Sequence, residues 1–207
     1  DEICAGEDNP DVTVSSLADK RYYMILSDIT ASGTTTGCVT RLNDDSGSNY
    51  AYRRQLDGVS DSTGTSQTGM IQHGLALGHL KWFEVSYLSN LASKEKLLVG
   101  HSMERGSSGA GNAPARQEWA DKWSNTSAAV NKISKVQTIG GANYASGSEC
   151  VVLGWDPADT HTTNFWEELA SADLSGGAAD DISSGTFTAK KYLWVQCFME
   201  QDTSSIT

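Results

Sequence analysis

KWFEVSYL, residues 81–88, decides how this chain is to be read. Successive side chains of a strand point to opposite faces, so Trp82, Glu84, Ser86 and Leu88 share one face and Phe83, Val85 and Tyr87 the other. The second face alone is cleanly apolar, and it is the face expected in the core. The same period of two runs through KRYYMILSDI (20–29), KLLVGHSM (96–103), NKISKVQTI (131–139) and ECVVLGW (149–155). In RQEWADKWSNTSAAV (116–130), Trp119 and Trp123 are in phase for one helical face and also for one strand face; the surrounding pattern favours a strand. Strands without helical crossovers, joined by Gly- and Ser-rich turns, predict an all-β fold: an antiparallel β-sandwich of jelly-roll type.

Composition narrows the function classes. Among 207 residues, 15 Lys and Arg face 26 Asp and Glu, a formal net charge of -11. Such a balance offers no basic patch to displace counterions from a phosphate backbone, which argues against nucleic acid as the partner. No apolar run approaches the length of a membrane-spanning helix, so no membrane insertion is expected. The opening DEICAGEDNP is acidic and polar, unlike a secretory leader, although a removed leader or a cut domain boundary would look the same. Cys4, Cys38, Cys150 and Cys197 are widely separated and lack the close ligand pairs of a zinc site. Cys150 and Cys197 lie inside apolar runs and read as buried free thiols.

An internal repeat organises the chain. DVTVSSLADKRYYMI (11–25) matches DISSGTFTAKKYLWV (181–195) without a gap, placing Asp11 on Asp181, Val12 on Ile182, Leu17 on Phe187, Tyr22 on Tyr192 and Ile25 on Val195. Residues 1–154 then form one sandwich module, 155–165 a linker around Pro157, and 166–207 the opening of a second unit. That opening cannot bury a core alone. Two expectations follow: the sequence is a fragment, or the tail completes its sheet on a neighbouring chain.

Candidate chemistry is sparse. RLNDDSGSNYAYR (41–53) concentrates Asn, Asp, Ser and Gly between two strand-like runs, the composition of a tight hairpin turn. Counting an EF-hand from Asp44 puts Gln55 where a bidentate Glu is required. An irregular calcium site built from Asp44, Asp45 and Asn49 is the one cofactor this loop could serve. GHSME (100–104) has Glu104 where a nucleophile elbow needs its second Gly, so Ser102 makes a poor hydrolase nucleophile. His73, His79, His101 and His161 lack metal-ligand spacing, and adjacent acids such as Asp44-Asp45 point to opposite faces of a strand. No catalytic constellation emerges, and no enzyme activity is expected. Exposed aromatics on a sandwich can stack on sugar rings; Tyr50, Tyr52 and Trp119 are the binding candidates, with Trp82, Tyr87, Trp123 and Tyr144 in the wider set. The loops 57–69 and 103–115 are expected to face outward.

RLNDDSGSNYAYR, NAPARQEWADKWSNTS (112–127) and GGANYASGSECVVLGWDP (140–157), taken in this order, resemble β-rich structural modules of tailed bacteriophages, especially marine ones. The resemblance covers nearly all of residues 11–156 and departs at Arg41-Leu42, where an aromatic residue is expected before the Asn. It implies a virion component: a tail or head appendage, fibre or decoration module with no catalytic residues. Its partners would be its own copies and other virion proteins, with a host-surface glycan or receptor as a further contact. The rival from another class is a carbohydrate-binding module of a secreted enzyme or adhesin, carrying structural calcium.

Overall fold

The computed structural model describes residues 2–3, 11–32, 37–71, 81–138, 143–157, 168–172, 177 and 181–195. Two units separate, Asp1–Asp159 and Thr160–Thr207. Among the described residues the first contains twelve strands: β1 (Glu2–Ile3), β2 (Asp11–Val14), β3 (Tyr22–Thr30), β4 (Cys38–Leu42), β5 (Tyr50–Leu56), β6 (Ser62–Gln67), β7 (Met70–Ile71), β8 (Lys81–Ser89), β9 (Lys96–Glu104), β10 (Ala115–Trp123), β11 (Ile133–Gln137) and β12 (Glu149–Trp155). All pairings are antiparallel. They build a large sheet in the order β1-β12-β3-β8-β9-β10-β5-β6 and a small one in the order β2-β11-β4-β7. The expected antiparallel β-sandwich is present, and the chain passes between the sheets at most connections. The stretch containing Trp119 and Trp123 is a strand, with both indoles turned inward.

Which face of β8 is buried reverses the expectation. Trp82, Glu84, Ser86 and Leu88 point between the sheets, whereas Phe83 and Val85 are half-buried and Tyr87 is exposed on the outside. The physical reason lies in the residues opposite. Glu84 meets Lys135 of β11, so its charge is compensated inside. Ser86 sits beside Gly100, and together they leave room for the Trp119 indole: a Cβ added at Gly100 would lie 2.6 Å from the Ser86 Cβ and 2.8 Å from the Trp119 ring. Trp82 and Leu88 supply the apolar bulk at the two ends of the face, each stabilising by roughly 1.5–3 kcal/mol on burial.

The interior is accordingly mixed. Its apolar part includes Tyr23, Ile25, Ile29, Leu42, Met70, Trp82, Trp123 and Ile133. Through it runs a polar row of paired residues on the large sheet, Cys150–Ser27–Glu84–Ser102–Gln117, every member buried. Lys96 is also fully buried; its Nζ donates to the carbonyls of Ala92, Lys94 and Asn125 and lies 5.5 Å from the centre of the Trp123 ring.

Two loop expectations are corrected. Residues 43–49 do not close a hairpin: β4 belongs to the small sheet and β5 to the large one, so this stretch is an arch between sheets. Local composition specifies a turn but not where the two strands pair. Residues 62–67, expected in an outward loop, form β6, the edge strand beside β5, with a register irregularity between Tyr50 and Tyr52. A short polar edge strand resists pairing with other chains, which is why its sequence does not read as a strand.

In the second unit, the described residues hold no helix or strand. Positions that match core positions of the first unit are open: Leu193 is 52% exposed where Tyr23 is 2%, and Val195 is 77% exposed where Ile25 is 0%.

Candidate functional site

The outer face of the large sheet carries the most distinctive surface. Alternation sends Lys96, Leu98, Gly100, Ser102 and Glu104 of β9 inward, which turns Leu97, Val99, His101 and Met103 outward. Register then aligns Tyr87, Val99, Ala120, Arg53 and Thr63 across five strands, and a parallel row brings Leu97 beside Ser89 and Lys122. These rows line a groove of about 820 Å³. One wall is aromatic: the Tyr22 and Trp155 rings lie 5.6 Å apart at 34°, with the Arg21 guanidinium 5.6 Å from the Tyr22 centroid. The floor is aliphatic, Leu97 and Val99 being 57% and 53% exposed. The far wall is polar, formed by Arg53, Thr63 and Thr65, and Arg53 is held by Asp61 at 2.7 Å. Such a surface offers ring stacking, apolar contact and a few hydrogen bonds.

Of the predicted binding aromatics, Tyr52 lines this groove, whereas Tyr50 and Trp119 lie elsewhere. Tyr50 is 1% exposed and Trp119 3% exposed, so the expectation that they are surface residues is corrected. Tyr50 stacks on Trp123 with 6.2 Å between centroids, and its hydroxyl donates to the carbonyl of Asp45 at 3.0 Å. Their inward phase follows from the strands they pair with, Trp123 opposite Tyr50 and Gly100 opposite Trp119. Tyr52 is half-buried, with its ring over Gly64 of β6 and the Arg54 guanidinium 5.3 Å from its centroid. Trp82, Trp123 and Tyr144 are buried as well, and Tyr87 is the member of the wider set that reaches the groove. Ring chemistry in the sequence does not single out Leu97, Val99, Tyr22 and Trp155, which the structure brings to the groove. Apolar residues on both faces of KLLVGHSM were the available signal, since a strand with one solvated face has no need of them.

The calcium candidates are drawn into the arch. Asp44 pairs with Lys132 at 2.7 Å. Asp45 accepts from the Trp123 indole at 2.6 Å, the Asn49 amide at 2.9 Å and the Gly47 backbone at 2.8 Å. Burial opposes ionisation of Asp45, but these donors outweigh it and hold the carboxyl below its usual value. Asn43 completes the arch by donating to the Ala129 carbonyl and accepting from the backbones of Asn131 and Lys132. Asn43 and Asp44 both adopt positive φ, 53° and 58°, which these side chains tolerate. No cluster of three metal-binding side chains occurs among the described residues.

Ser102 points between the sheets and is 1% exposed, out of reach of a substrate. His101 is exposed beside Glu118, while His73, His79 and His161 lie outside the described residues, as do Cys4 and Cys197. Cys38 and Cys150 are buried free thiols. Burial pushes Cys38 up to about 12, and it raises Cys150 too, against the pull of Lys135. For Lys135 itself, burial disfavours the charge, but the adjacent Glu84 carboxylate outweighs it and raises its pKa.

No family model, curated protein or solved structure matches the chain.

Proposed function

We propose that this protein is a virion structural module, part of a bacteriophage appendage, fibre or decoration, that works by assembling with its own copies. The observation that carries this reading is the apolar outer face of the large sheet, where Tyr87, Leu97, Val99 and Met103 are all substantially exposed. A monomer rarely presents so many large apolar side chains on neighbouring strands, and burying them between copies would stabilise an assembly. The open core-type positions of the second unit, Leu193 and Val195, support it from another part of the chain. The resemblance of residues 11–156 to phage modules supplies the setting, and a formal charge of -11 suits a particle that must stay dispersed.

Light scattering of the native protein at several concentrations, with and without EDTA, tests the reading. A stable oligomer indifferent to EDTA is expected. A monomer at every concentration would overturn it.

One observation favours a second reading. The Tyr22–Trp155 pair with Tyr87 forms an aromatic wall able to stack on a sugar ring, and Thr63 and Thr65 offer hydrogen-bonding hydroxyls at the far end of the same groove. Under that reading the module binds glycan as a monomer, and Trp155→Ala abolishes the binding seen by titration calorimetry.

A further inference from the structure

We propose that Lys135 and Glu84 condense into an intramolecular amide that staples the two sheets together. Lys135 lies in β11, between β2 and β4 of the small sheet; Glu84 lies in β8, between β3 and β9 of the large one. Both side chains are 0% exposed, and Nζ directly contacts Oε1. Nζ also donates to the Thr40 hydroxyl at 2.8 Å, while Oε2 accepts no hydrogen bond among the described residues. The fold therefore holds an amine and a carboxyl together in a buried interior, with one carboxyl oxygen lacking a protein partner among the described residues.

Three physical conditions favour condensation there. Fixing both partners removes the entropy of encounter, and well-oriented intramolecular reactions reach effective molarities of roughly 10⁵–10⁸ M. Exclusion of water opposes the reverse hydrolysis. The product replaces two desolvated charges with a neutral amide, removing the burden of a buried ion pair. The neighbouring groups do not compete: burial keeps the thiols of Cys38 and Cys150 and the phenol of Tyr144 protonated, while Lys135, held as ammonium by Glu84, becomes a nucleophile only once its proton has passed to that carboxylate.

The step balances without a co-reactant. Within the ion pair, a proton passes from Nζ to a Glu84 oxygen, leaving a neutral amine and a carboxylic acid. The Nζ lone pair attacks Cδ, forming the N–C bond and a tetrahedral centre. A second proton moves from Nζ to the departing oxygen, and the C–O bond breaks. One water leaves. Ammonium and carboxylate have become amide and water, with no net proton exchanged and nothing oxidised or reduced.

The staple would close a loop between positions 51 apart in sequence and lock the sheets against sliding. It is independent of the outer-face reading and would hold equally for a monomer.

The test is the intact mass of the reduced, denatured full chain, followed by peptide mapping. The expected mass is one water below that of the sequence, with the peptides carrying residues 84 and 135 recovered as one linked species. On a denaturing gel, the wild type should run ahead of Lys135→Arg, which cannot form the link. Glu84→Gln should still link, releasing ammonia in place of water. A wild-type chain at full sequence mass, or one lighter by a water but with these peptides unlinked, would overturn the proposal. The decisive measurement uses the wild type, so poor folding of a variant does not obscure it.

Discussion

The indole nitrogen of Trp123, at the end of β10, donates to Oδ2 of Asp45 at 2.6 Å, joining positions 78 apart in sequence. Asp45 lies in the arch that carries the chain from the small sheet to the large one, and Trp123 stacks on Tyr50, the first residue after that arch. One carboxylate thus ties the crossover to the core. Trp123→Phe, which keeps the ring and removes the donor, should cost about 1.5–3 kcal/mol in urea unfolding, the range for a hydrogen bond to a charged group.

The same contact sets an acid dependence. Asp45 titrates below its ordinary value of 3.8 in the folded protein. Its stabilising contribution is therefore fully present above that value and is lost as pH falls through the lowered folded one. Asp45→Asn should flatten this part of the stability-versus-pH curve while lowering stability at neutral pH. An unchanged acid limb in the variant would count against the assignment.

Gly100 should tolerate no side chain. An added Cβ would meet the Val85 carbonyl and the Ser86 Cβ, each at 2.6 Å, and both are parts of the paired strand. Gly100→Ala should destabilise by about 1–3 kcal/mol through overpacking beneath Trp119, read from the shift in the urea midpoint. Gly111, with nothing within 4 Å, is the comparison site where Ala should be nearly neutral.

Assembly through the outer face makes a separable prediction. Leu97→Asp combined with Val99→Lys changes outward residues of β9 while leaving its inward residues intact. Light scattering should then report a smaller species than wild type, with an unfolding midpoint little changed for the dissociated module. An oligomer of wild-type mass would place the interface elsewhere.

The buried thiols predict a reactivity pattern. With Cys38 held up to about 12 and Cys150 also raised, neither supplies thiolate or access near neutral pH. Alkylation mapped by peptide mass spectrometry should leave both unmodified in the native protein and modify both after denaturation. Rapid native labelling would mean that the sandwich opens there.

Much of the fold was legible because it is written at short range. A period of two identifies strands at 81–89, 96–104 and 149–155 from side-chain alternation alone, and Asn, Asp, Ser and Gly mark residues 43–49 as a place where the chain turns. The candidate site was much less legible. Tyr50, Tyr52 and Trp119 share the ring chemistry of a binding face, yet Tyr50 and Trp119 are core residues, and Tyr52 lines the groove together with Tyr22, Leu97, Val99 and Trp155. An aromatic ring stabilises a core and a binding face by the same burial, so residue type cannot separate the two roles.

By itself the sequence determined an acidic, all-β chain, the positions of long alternating strands such as 81–89, 96–104 and 149–155, and which residues share each of their faces. Tertiary structure alone decided which face is inside and which strands are neighbours. Glu84 reads as a solvent residue until Lys135, distant in the chain and on the opposite sheet, compensates its charge. Asp45 reads as a turn residue until Trp123 reaches it from β10. Alternation is a property of one strand, whereas burial depends on what packs against it, and no single segment contains that information.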